Sequence, residues 1–175
     1  MKKIVNEVNY LPAFYYTSKH PFYLKQFLIM ELPLFKAHTG IWEGTYTRLN
    51  EKGEVIDRHK SRLFLKMQDN QWIQKNEYTW DNGHKEVHDF GVSLFDDDGV
   101  LHYDNPRIFG KAWEARDVIC LEWRYNKEPG THLYEIITLL EDGHRMRTWQ
   151  HSRNGKFEGL TMIEEYRVAP QEAIE

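Results

Sequence analysis

The sequence predicts an all-β fold: an antiparallel up-and-down β-barrel with a short N-terminal helical extension. Three features point to it. From Ile41 to Val168, short runs of alternating apolar and polar residues follow one another, the period of strands that turn one face to a core. Compact turn signals separate the runs, among them Asp81-Asn82-Gly83, Glu141-Asp142-Gly143 and Arg153-Asn154-Gly155, where glycine supplies the positive φ of tight hairpins. The spacing is even and gives about nine or ten short strands, which favours a barrel over a helix-containing sheet.

Residues 1–37 are read as an N-terminal arm and helix that pack on the barrel, and 38–175 as the barrel domain. Ser18 is a helix N-cap with Pro21 in the first turn. Leu24, Phe27, Leu28 and Glu31 fall on one stripe, and Pro33 ends or kinks the helix. The short turn Leu34–His38 then leads into the first strand. The segment either caps the core or serves as a lid or a homodimer contact.

The first strand spans 41–49 and places Trp42, Gly44 and Tyr46 on one face. The second spans 55–67, with His59, Ser61, Leu63, Leu65 and Met67 on its more apolar face and Arg58, Lys60, Arg62 and Lys66 solvated. The third spans 71–80, with Trp72, Gln74, Asn76, Tyr78 and Trp80 together. Shorter strands follow at 85–91, 92–95, 100–104, 107–114 and 118–125. The last are 131–140, 143–152 and 157–168. Parity across 100–125 is left open, and no internal repeat or linker interrupts the chain.

Gly40-x-Trp42 at the start of this meander, with Arg167 near its end, resembles the signature of the lipocalin-like, or calycin, superfamily. The strings Trp42-Glu43-Gly44-x-Tyr46, Asn76-x-Tyr78-Thr79-Trp80-x-Asn82-Gly83, Tyr134-Glu135 and Arg147-Thr148-Trp149 resemble an uncharacterised bacterial lipocalin-like family, over roughly residues 38–168. The resemblance implies a tryptophan at the closed end of the barrel with an arginine packed across it, and a ligand cavity; since the superfamily holds carriers and enzymes alike, it does not choose between them. Independently, a guanidinium stacked on the Trp42 indole clamps the first strand to the last.

Composition narrows the functions. A length of 175 residues suits one domain with a real core. Aromatic residues make up 14%, more than core filling needs, so some are expected to line a cavity. A net charge of −4 without a basic block argues against nucleic acid. The lone cysteine, Cys120, allows no intramolecular disulfide and reads as a small buried residue. No membrane span or signal peptide is recognised, so the expected location is cytoplasmic.

Candidate chemistry lies on two strand faces. Gln74, Asn76, Tyr78 and Trp80 alternate amides with aromatics, and buried amides need partners, supplied either by a ligand or by an internal network. Tyr46 and Arg48, with His59 and Ser61 from the next strand, point toward the open end. The second cluster is Glu135 with Arg147, Trp149 and His151, which forms either a structural ion pair or a binding and acid–base site. His84, Glu86 and His88 imitate a metal set but adjoin an exposed turn, so no metal is expected, and no cofactor fingerprint is present. The expected function is binding of a small hydrophobic or aromatic molecule by Tyr46, Arg48, Ser61, Gln74, Asn76, Trp80, Trp149 and His151. The alternative is a cofactor-free acid–base enzyme, an isomerase, cyclase, dehydratase or lyase, with Tyr78, His59, Glu135 and Arg147 as catalytic groups.

Overall fold

The computed structural model describes residues 31–175. Ten strands form one closed antiparallel barrel: β1 Gly40–Asn50, β2 Val55–Gln68, β3 Gln71–Thr79, β4 Lys85–Phe95, β5 Leu101–Asp104, β6 Ile108–Ala115, β7 Val118–Tyr125, β8 Thr131–Glu141, β9 His144–Arg153 and β10 Lys156–Ala169. Each strand pairs with its sequence neighbours, and β10 returns to pair with β1, so the sheet has no free edge. Among the described residues, no helix is long and apolar enough to cross a membrane.

Closure depends on residues without side chains. At Gly44 a Cβ would run into the carbonyl of Glu164 on the facing strand, and at Gly159, whose φ is +136°, into the carbonyl of Leu49. Both glycines let β1 and β10 approach closely.

The short helix α1, Pro33–Ala37, sits across one end of the barrel. Pro33 opens this helix, because proline is preorganised for a first turn whose N–H groups lack helical partners. The Phe35 N–H donates to Glu114 Oε1 at 2.9 Å. The Phe35 ring packs edge-on against Phe95 and Trp72, with centroids at 4.8 and 5.6 Å. The helix expected from Ser18 lies outside the described residues up to residue 30, as does the proposed dimer contact of the arm.

The runs 85–91 and 92–95 are one strand, not two. Gln74 pairs with Gly91 while Lys75 pairs with Asp89, so Phe90 is an extra residue at a bulge, and Gly91 takes φ +65°. The bulge reverses parity: His88 and Phe90 face inward before it, Ser93 and Phe95 after it.

Candidate functional site

The barrel encloses a cavity of about 720 Å³. Its lining runs from Phe35 and His38 at the α1 end to the exposed side chains of Arg48, Arg107, Lys127 and Glu128. The α1 end is therefore closed and the other end is the mouth.

Trp42 makes the closed end solid. It is fully buried, its Nε1–H donates to the His38 carbonyl at 3.0 Å, and two guanidiniums lie over its ring, Arg145 at 4.1 Å and Arg167 at 4.8 Å. Arg167 also donates to the Ala37 carbonyl and so ties β10 to the end of α1.

Above Trp42 lies a buried ionic cluster. Arg145 Nε donates to Glu165 Oε2 at 2.6 Å, Arg147 Nη1 to Glu165 Oε1 at 3.2 Å, and Arg147 Nε to Glu135 Oε1 at 2.6 Å. Arg147 Nη1 also donates to Tyr46 Oη at 3.0 Å. Two guanidiniums face two carboxylates, so the cluster is neutral in sum. Burial works against the charge on Arg147, but Glu135 and Glu165 hold its pKa well above the ordinary value. Burial, reinforced by the three nearby arginines, pulls His38 down to about 3, so the neutral ring can take a hydrogen bond from Arg145. Arg145 Nη2 is buried without a hydrogen-bond partner among the described residues.

The inward face of β3 is a one-way ladder. Trp72 Nε1–H donates to Gln74 Oε1 at 3.1 Å, Gln74 Nε2 to Asn76 Oδ1 at 3.2 Å, and Asn76 Nδ2 to Tyr78 Oη at 2.8 Å. The amides satisfy one another, and the last acceptor is a phenol whose own proton is uncommitted among these bonds. Burial holds the Tyr78 and Tyr46 hydroxyls above the usual phenol range, so both stay protonated.

Near the mouth, Asp57 accepts two hydrogen bonds, from Trp80 Nε1–H at 2.8 Å and from His59 Nδ1 at 2.8 Å. Burial opposes the Asp57 charge, but these donors bring its pKa below the carboxylate norm. The His59 ring stacks on Tyr46 at 5.0 Å and meets Tyr78 edge-on at 5.1 Å. His151 Nε2 pairs with Thr161 Oγ1 at 2.8 Å, and burial first, then Arg48, lowers its pKa to about 4.

Both expected clusters thus face one cavity. Tyr46, Arg48, His59, Gln74, Asn76, Tyr78, Trp80, Glu135, Arg147, Trp149 and His151 line it. Ser61 stands apart from these. It is buried on the inward face, but it does not reach the cavity wall, and its hydroxyl has no partner among the described residues. Glu135 and Arg147 are diagonal neighbours, since Glu135 pairs with Trp149 and Arg147 with Ile137. Sequence reasoning missed Asp57, Arg145 and Glu165. The parity of Arg147, Trp149 and His151 already pointed to Arg145, and that of Thr161 and Ile163 to Glu165. It also missed Tyr103, Trp123 and Tyr125, which lie in the stretch of open parity.

The sequence pattern of the family described as "Domain of unknown function (DUF3598), N-terminal" matches residues 32–169. No curated protein matches the chain. Among solved structures, a protein of unknown function from the DUF3598 family of Nostoc punctiforme superposes with a TM-score of 0.60 at 14% identity, over 77% of this chain and 49% of that one. The chain thus spans about half the length of the Nostoc protein. The S-type phycobiliprotein lyase CPES from Guillardia theta gives 0.54 at 15% identity, over 77% and 90% of the two chains. Rv2717c from M. tuberculosis gives 0.51 at 12%, over 75% and 93%. At these identities the shared property is the fold, a lipocalin-like barrel.

Proposed function

We infer that this chain, which belongs to the DUF3598 N-terminal family, binds a small molecule with an aromatic or otherwise apolar body inside its barrel. The observation that carries this reading is the cavity of about 720 Å³, open at one end and walled by Phe35, Tyr46, Tyr78, Trp80, Trp123 and Trp149. That volume lies in the range of small-molecule sites, and aromatic walls supply the apolar contact area such sites use. The floor supports a ligand of low net charge. Its two guanidiniums are already matched by two carboxylates, so an additional full charge finds no counter-charge there. Tyr78 Oη, which accepts from Asn76 and keeps its own proton, provides a directional hydrogen bond for a polar group on the ligand.

A thermal-shift and tryptophan-fluorescence screen of uncharged aromatic and aliphatic molecules tests this, with N-phenylnaphthylamine as the first probe. Bound ligand should quench emission, because Trp80, Trp123 and Trp149 line the wall. At a hundred times its Kd, it should raise stability by about 2.7 kcal/mol. A screen in which no apolar molecule shifts either signal contradicts the reading.

A further inference from the structure

We propose that the mouth of the cavity is a proton-transfer site, in which His59 is the general base toward an enolisable aromatic carbonyl compound and Asp57 is its positioning residue. The assignment rests on the cavity being the ligand site. Asp57 decides which nitrogen of His59 is free. Its two oxygens are both used: one takes the Trp80 indole N–H, which can only donate, and the other takes His59 Nδ1–H. The imidazole is therefore held as the tautomer whose Nε2 carries the lone pair. Nε2 makes no hydrogen bond among the described residues, and the ring lines the cavity, its side chain only 13% exposed. Tyr46 against its face and Tyr78 against its edge fix its orientation.

The other cavity-lining histidines fit the task less well. His38 faces Arg145, and His151 is bound to Thr161; their lowered pKa values, about 3 and 4, make them weak bases. His88 points its Nε2 at Glu86 on the rim, 2.8 Å away. The partner for the developing charge is Tyr78, whose hydroxyl already accepts from Asn76 and so has its proton to give.

The step balances without a co-reactant. His59 Nε2 takes a proton from the carbon beside the ligand carbonyl. The C–H electron pair becomes a carbon–carbon π bond, and the carbonyl π pair moves onto oxygen, where the Tyr78 O–H holds it. Return of the proton to another carbon of the conjugated system regenerates neutral His59 and leaves an isomer.

Exchange of the benzylic protons of β-tetralone in deuterium oxide, followed by proton NMR with the whole chain, reads the first half of this reaction. The wild-type protein should accelerate exchange, and His59→Gln should reduce it by about a hundredfold or more. Asp57→Asn has only one acceptor oxygen. With Trp80 kept on it, the amide NH2 faces His59 and drives the proton to Nε2. Exchange should then fall at least about tenfold while the Kd for β-tetralone, read by fluorescence, changes little, and Asp57→Glu should restore part of the rate. Two results overturn the proposal alone: bound β-tetralone exchanging at its rate in buffer, or His59→Gln matching the wild type. If β-tetralone fails to bind while other apolar probes bind, the carbonyl assignment is wrong; if no probe binds at all, the cavity reading falls as well.

Discussion

Trp42 has no exposed surface, and cations cover its ring. Trp42→Ala should therefore cost about 3–5 kcal/mol in denaturant unfolding, a large share of a typical domain's stability. A loss under about 1 kcal/mol would mean that Trp42 does not plug the barrel. Glu165→Gln tests the ionic cluster in the same way, because it removes the charge that both Arg145 and Arg147 use. Breaking a buried pair from one side should cost about 3–5 kcal/mol, whereas Glu43→Gln, which breaks the exposed pair with Arg62, should cost about 1 kcal/mol or less. Acidification reads two buried histidines. Both have folded pKa values below the unfolded value of 6.5, so the unfolded chain takes up protons first as the pH drops. Stability present above pH 6.5 should decline as the pH falls toward about 4 for His151 and about 3 for His38. His38→Gln, which keeps an acceptor for Arg145, should flatten part of that decline in melting temperature against pH.

At the scale of strands, the barrel is unevenly knit. β4 and β5 share two residue pairs, Leu94 with His102 and Phe95 with Leu101, whereas β1 and β10 pair along nearly their whole length. Amides of β5 should therefore exchange hydrogen faster than those of β1 in native-state exchange. Equal protection of the two would contradict the weak seam. Strand periodicity made much of the site legible. The two-residue period of β1, β2, β3, β8 and β9 groups their residues into faces, so Tyr46, His59, Asn76, Glu135 and Arg147 could be singled out as candidate inward positions before any coordinates. Alternation fails where the backbone slips a residue, as at Phe90, since a bulge exchanges the two faces. It is also silent in Val118–Leu121, where both faces are apolar, and so Trp123 and Tyr125 were not assigned to the wall. Arg145 and Glu165 escaped for a different reason: charged residues are rarely fully buried unless paired, and the pairing is a product of the closed barrel.

For the whole molecule, closure turns separate strand faces into a single chamber. The ladder of β3, the ionic cluster on β8, β9 and β10, and the Asp57–His59 pair on β2 meet around the same space because β10 returns to β1. With α1 and Trp42 closing one end, the way into the chamber lies at the end lined by Arg48, Arg107, Lys127 and Glu128. The most direct test is the set of nuclear Overhauser contacts between bound N-phenylnaphthylamine and the protein. Binding in the chamber gives contacts to Tyr46, Tyr78, Trp123 and Trp149. Contacts confined to the outward apolar residues Val87, Leu94 and Phe109, which are exposed on the barrel's exterior, would place the ligand outside the barrel and contradict the cavity as the binding site.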